Sequence, residues 1–378
     1  MSQVIESGKQ RTVAPFRHDT VGSFLRPEIL KEARNKFEKN EISAEELERV
    51  EDREIIKLVA KQKSVGLKAV TDGEFRRSWW HLDFMWGLDG VEKVKSDKGY
   101  QFHGAKTRAE TARLNSKIGF SSHPFVEHFK FLKEVAGEGV IARQAIPAPA
   151  QFFAELQRPE NKASTDSYYS STEQLTADIA AAYNAAMLAL YEAGCRSIQL
   201  DDCTWGMLCD KNYWSLIQED ATKFSDIAEL YATINSQAVA GLPEDLIITM
   251  HVCRGNYQST WAASGGYEPV AEYLFGIDRI DGYYLEFDTD RAGGFTPLKH
   301  LKDQQVVLGL VSSKTGELED KQEIIRRIQE AAQIVDLNQL CLSPQCGFAS
   351  TEEGNILTEE QQWKKLSLIK EIADEIWK

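Results

Sequence analysis

The sequence has few cysteines, no long apolar run and too few basic residues to balance its acids. Six cysteines in 378 residues are too sparse for a disulfide scaffold. They predict reduced thiols, free to ligate a metal. No apolar run approaches the ~20 residues that span a bilayer, and the opening "MSQVIESGKQRTV" lacks the apolar core of a secretory signal. These absences predict a cytoplasmic chain with no membrane partner. With 44 Lys and Arg against 58 Asp and Glu, the net charge is −14, which argues against broad nucleic-acid binding. No GxGxxG or Walker-type loop follows the first strand candidate, so a nucleotide-binding sheet is disfavoured. Internal repeats and low-complexity linkers are missing too.

What is present is alternation. Eight short apolar runs read as strands: "TVGSFL", "LKAVTDGEF", "GVIARQAI", "SIQLDD", "DLIITMHV", "GYYLEFD", "QQVVLGLVSS" and "QLCLSP". Helical spacing fills most gaps between them. Leu175, Ile179, Ala182, Ala186 and Leu190 fall on one stripe, as do Ile324, Ile325, Ile328, Ala331 and Val335. A last stripe runs through Trp363, Leu366, Ile369, Ala373 and Trp377, with Thr358 marking the helix start. Eight strands alternating with helices predict an α/β fold, a (β/α)8 TIM barrel spanning residues 1–378 as one catalytic domain. An open doubly wound sheet would look similar at this level.

One stretch breaks the rhythm. Residues 80–124, with "GVEKVKSDKGYQFHG", read as a β-hairpin insertion after the second strand. Within 91–117, seven Lys or Arg stand against three acids. The patch either draws a polyanionic substrate tail or is a solvated hairpin face.

In barrels the chemistry gathers at the carboxyl ends of strands. There the sequence places Gly22 and Ser23, then Asp72, Gly73 and Glu74, then Asp201, Asp202 and Cys203, then His251 and Cys253 of "HVC", then Glu286, and last Cys346 of "SPQCGF". His251 and Cys253 are two residues apart in an extended run and project to the same face. With Cys346 and Glu286 they make an N, S, S, O donor set suited to tetrahedral zinc. HxC alone is as readily a core histidine beside a buried thiol. Cys195, Cys203, Cys209 and Cys341 have no histidine companion, and packing is their default role, although Cys203 lies close to the expected site. Phe152 and Phe153 in "PAPAQFF" either stack on a flat donor ring or pack in the core.

"TVGSFLRP", "TDGEFRR", "IQLDD", "HVCRGN", "YYLEFD", "VSSKTGELED" and "SPQCGF" occur in the order seen in cobalamin-independent methionine synthases. The chain resembles the catalytic barrel of that family over roughly residues 14–375, and most resembles its short, single-barrel bacterial members. The fold implied is a barrel of the uroporphyrinogen decarboxylase/methionine synthase-like type. The resemblance implies that His251, Cys253, Glu286 and Cys346 bind one zinc ion. It also implies that Gly22, Ser23, Glu74 and Asp201 hold the amino-acid part of homocysteine. The implied reaction is zinc-dependent S-methylation of homocysteine to methionine, with a methyl-folate co-substrate.

Two departures from the longer members stand out. Their additional N-terminal barrel, which helps form the folate site, has no counterpart here. Their histidine after strand seven is replaced by "SSKTG", so proton transfer is expected to fall to Lys314, Asp202 or water. Two other readings remain. One is a zinc-dependent alkyl transferase using a methylcobalamin-type donor, or an epoxide with a coenzyme M-like thiol. The other is a non-catalytic zinc- or thiol-binding barrel.

Overall fold

The computed structural model describes residues 11–217 and 223–378; the opening segment 1–10, read above as lacking a secretory core, lies outside them. The fold is α/β. Six strands form a wholly parallel sheet: β7 (Gln144–Pro147), β8 (Ser197–Asp202), β9 (Ile247–Val252), β10 (Gly282–Glu286), β11 (Gln305–Val311) and β12 (Leu340–Pro344) pair in chain order. Nearly every residue in β8 to β12 is buried, the mark of parallel strands covered on both faces. A short pair, β1 (Ala69–Val70) and β6 (Ile141–Ala142), lies beside β7. Arg143 separates β6 from β7, and its N–H donates to the Val70 carbonyl at 2.9 Å.

The first strand expected, "TVGSFL", forms no ladder of its own. Pairing instead begins earlier, at a parallel bridge between His18 and Leu342. Asp19 N–H donates to Leu342 O, and Phe24 N–H donates to Gly73 O. The segment thus links β12 to the loop after β1. Gly22 has φ +125°, a conformation that breaks regular pairing and favours glycine.

Residues after β1 hold two antiparallel pairs. β2 (Asp89–Lys95) pairs with β5 (Glu110–Gly119), and β3 (Gln101–Phe102) with β4 (Ala105–Lys106).

The helices follow the predicted stripes. In Thr172–Glu192, capped by Ser171, all five stripe residues are buried. The helix Lys321–Ala331 buries Ile324, Ile325, Ile328 and Ala331 but ends before Val335. Thr358 forms a capping box with Gln361 at the start of Glu359–Ile376, and the Trp377 indole just beyond donates to Leu337 O. Among the described residues no helix is long and apolar enough to cross a membrane.

Candidate metal and substrate site

Register brings the site residues together. His251 on β9 lies opposite Asp201 on β8 and Tyr284 on β10. Side chains two apart share a face, so Gln199 and Asp201, Thr249 and His251, and Tyr284 and Glu286 form neighbouring columns. Below the site, Arg143 and Tyr284 both bond Asp19, at 3.0 and 2.9 Å. This buried polar layer supports the functional layer above it.

Donor atoms of His251, Cys253, Glu286 and Cys346 all lie within 4.8 Å of one another, and all four residues are buried. The Cys253 and Cys346 sulfurs are 3.7 Å apart. Two thiolates on one tetrahedral ion, with bonds of about 2.3 Å, stand roughly 3.7 Å apart. His251 Nδ1 faces the Tyr284 carbonyl at 3.2 Å, which orients the ring. Its Nε2 is buried with no hydrogen-bond partner. Contact with Cys203 pushes the Cys253 thiol well above the ordinary range, and contact with Cys253 does the same to Cys346. Crowded thiolates of this kind are stable only beside a cation. Burial acts against a charged Glu286, yet Lys314, Arg291 and Arg254 together hold its pKa below the usual value. On each of these counts the donor set fits zinc.

His251, Cys253 and Cys346 border a cavity of about 320 Å³, also lined by Ser23, Glu74, Asp201 and Cys203. Glu74 sits in the left-handed region at φ +62°, which a non-glycine residue adopts at a cost. Its N–H donates to Asp72 Oδ1, and buried Arg26 grips the Glu74, Arg77, Phe24 and Ala349 carbonyls. Glu74 Oε1 lies 3.4 Å from Arg77, while Oε2 has no partner. Asp201 Oδ1 accepts from Gln199 at 2.8 Å. Burial raises both carboxyls to about 7, and each adds to or meets further carboxylate repulsion, Glu74 from Asp201 and Asp201 from Asp202. The nearby arginines divide between these acids and other partners. Arg77 does approach Glu74, but Arg76 pairs with Glu51 and Asp52, and Arg143 with Asp19. Ser23 Oγ accepts from Ala349 N–H at 3.3 Å. A Cβ at Gly347 would stand 1.8 Å from that oxygen, so a side chain there displaces the hydroxyl.

Four expectations need correction. Phe152 and Phe153 belong to the helix Pro149–Leu156 and are buried against Tyr183 and Tyr231; neither lines the cavity. Asp202 is fully buried and accepts from the Thr204 N–H and hydroxyl at 2.7 and 2.6 Å, which ties it to the start of a helix, outside the cavity lining. Lys314, expected as a proton-transfer candidate, is buried and donates to Asn256 Oδ1 at 2.9 Å; it stands behind Asn256, which lines the cavity, and does not line it itself. The hairpin's seven basic residues are divided: three are ion-paired, and Lys95, Lys98, Lys106 and Lys117 are exposed. Lys93 pairs with Glu110, Arg113 with Glu92, and Arg108 with Glu110, Glu352 and Glu353.

Sequence reasoning missed the cavity's aromatic wall: Trp79, Trp80, His81, Tyr100, Phe102 and Tyr257. The signal was there in "SWWH" directly after "DGEFRR". It also missed Arg26, whose position in an apolar stretch resembled a surface residue.

A sequence profile described as "Cobalamin-independent synthase, Catalytic domain" matches residues 16–104 and 164–373. The chain belongs to the cobalamin-independent methionine synthase family. At the level of the family it is a methyltransferase of the methionine synthase type. It is 47% identical over 371 residues to the uncharacterized protein YxjG of Bacillus subtilis (strain 168), covering 98% of this chain and 97% of that one. A solved structure from Listeria monocytogenes is 43% identical, covers 97% of this chain and 100% of its own, and superposes with a TM-score of 0.77. Similarity to the methionine synthase of Saccharolobus solfataricus is lower, at 24% over 339 residues, covering 87% of this chain and 86% of that one.

Proposed function

We propose that this member of the family transfers a methyl group from a methyl-folate-type donor to the sulfur of homocysteine, giving methionine, with one zinc ion held by His251, Cys253, Glu286 and Cys346. The observation that carries this reading is the pairing, in one cavity, of a four-donor cluster spanning at most 4.8 Å with two carboxyls raised to about 7. A metal-binding module alone has no use for two further buried acids beside the donor set; an amino-acid thiol needs both features. We read the backbone bonds from β12 through residues 17–24 to β1, and from β6 and β7 onward, as closing a (β/α)8 barrel with residues 80–124 inserted after its second strand. The site then sits at the carboxyl ends of the strands.

Bound to these ligands, zinc would hold an incoming alkyl thiol as its thiolate at neutral pH. The chain's own residues bind and orient. Glu74 and Asp201 take the substrate ammonium, whose charge relieves their mutual repulsion. Ser23 Oγ, with the backbone beside Gly22, receives the carboxylate. Glu286 already accepts from Arg254 N–H and Arg291, at 2.8 and 3.1 Å, which makes it the weakest of the four donors. A sulfur–carbon bond forms as the donor's nitrogen–carbon bond breaks, and that electron pair stays on the donor nitrogen. Asp202 is bonded to Thr204 and Lys314 to Asn256, and neither lines the cavity, so we assign the proton that nitrogen requires to water. The largest contribution of the protein is alignment of the two reactants.

The test is a donor screen with the metal-loaded protein. Homocysteine is offered with methyl-folates of one and three glutamates, methylcobalamin or S-methylmethionine, and methionine is measured by mass spectrometry. Methionine from a methyl-folate supports the reading. Methionine only from another donor overturns the folate assignment, and no methionine from any donor overturns the activity.

A further inference from the structure

Among the described residues, three side chains lining the cavity each carry a buried polar atom without a partner: Glu74 Oε2, His251 Nε2 and His81 Nδ1. The proposed function uses the first two, for an ammonium and a metal. It does not use the third, although burying an unpaired acceptor is unfavourable.

The surrounding protons define what His81 offers. The Tyr100 hydroxyl donates to Glu155 Oε2 at 2.9 Å. Glu155 also accepts from the Thr111 hydroxyl at 2.6 Å and from Arg158 at 3.3 Å. Burial and the Glu155 charge keep Tyr100 protonated far into the alkaline range. Its single proton is thus committed to Glu155, and its oxygen meets His81 Nε2, 3.0 Å away, as an acceptor. The network therefore assigns the imidazole proton to Nε2 and leaves Nδ1 a bare acceptor. Burial, and then the Arg158 charge, lower the imidazole to about 3, so the ring is neutral at physiological pH.

The neighbours are flat. Trp80 stacks on His81 with centroids 4.5 Å apart and planes inclined by 29°. Tyr100 meets the imidazole edge-on at 5.4 Å, and Phe102 lines the same cavity. Arg158 lies over the Tyr100 ring at 4.1 Å and disfavours a second cation beside it. An ammonium therefore belongs with Glu74 and Asp201 and not here.

We propose that His81 Nδ1 accepts a hydrogen bond from a ring N–H or amino group of a flat, uncharged heterocycle seated against Trp80, Tyr100 and Phe102. This heterocycle is the ring of the methyl donor, so the inference rests on the proposed function and deepens it. His81 touches the ligand; Tyr100 and Glu155 are positioning residues that set its tautomer.

Two measurements test this on the full-length, zinc-loaded protein. Pterin and a fully N-methylated pterin, which has no N–H to donate, are titrated separately by quenching of tryptophan fluorescence. Methyl transfer from 5-methyltetrahydrofolate is assayed in parallel. The wild type should bind pterin at least about tenfold more tightly than the methylated ring. His81→Phe should lose that discrimination, and His81→Asn, which returns an oxygen acceptor, should recover part of it. Discrimination that survives in His81→Phe, or absence of any pterin binding while methyl transfer proceeds, overturns the ring site and leaves the proposed function standing. Discrimination lost in His81→Phe with no methyl transfer from the folate overturns the proposed function and leaves the ring site standing.

Discussion

Cys253 and Cys346 lie 93 positions apart in the chain, and their sulfurs lie 3.7 Å apart in the fold. One sulfur follows β9 and the other follows β12, so the intervening strands β10 and β11 hold this spacing. Cys346→Ser should therefore cost both zinc and activity. Elemental analysis of the wild type should give about one zinc per chain, and the variant should show a large loss of both metal and methionine formation. Full activity in the variant would end the mechanism.

Glu74 should trade stability for binding. Its folded pKa is raised from 4.5 to about 7 by burial, so the folded state holds its proton more tightly than the unfolded chain does. Its contribution is most favourable below about pH 4.5 and is lost as pH rises to about 7. Above that the cost is on the order of 3 kcal/mol at most. Glu74→Gln should raise the melting temperature at pH 8 more than at pH 5.5, keep zinc, and weaken homocysteine binding. Loss of zinc would show that Glu74 has been given the wrong role.

Gly347→Ala separates substrate binding from metal binding. The added methyl would meet Ser23 Oγ at 1.8 Å, forcing the hydroxyl away from the site for the substrate carboxylate. Steady-state kinetics should show KM for homocysteine rising about tenfold, which corresponds to ~1.4 kcal/mol. Zinc content should not change. An unaltered KM would place the carboxylate elsewhere.

Phe152→Leu checks that this ring is core. The side chain is fully buried and packs toward Tyr183, with centroids 6.3 Å apart. Urea denaturation should report a loss of about 1 kcal/mol, with KM for the methyl donor unchanged. A raised donor KM at unchanged stability would return Phe152 to the donor site.

Much of the fold was legible because its signals are local. Buried parallel strands such as "QVVLGLV" are nearly continuous apolar runs, and the helix Thr172–Glu192 shows its stripe at i, i+3 and i+4 spacing. "TVGSFL" misled because its composition suits a strand while Gly22, at φ +125°, turns the backbone away from one. Lys314 and Arg108 could not be placed from the sequence because their partners are distant in the chain: Asn256 for Lys314, and Glu352 and Glu353 for Arg108.

By itself, the sequence determined the kinds of atom available: one imidazole, two thiols and a carboxylate at strand ends, with acids in "DGE" and "LDD". Those identities set which ion and which substrate groups the chain can hold. Only the tertiary structure decided which of them meet. Strand register put His251 beside Asp201, and helix packing turned Phe152 inward. Tyr100 and His81, nineteen positions apart, came within 3.0 Å of each other. The reason is physical: side-chain chemistry is written residue by residue, whereas proximity and burial, which set pKa, tautomer and metal geometry, arise only when distant segments pack.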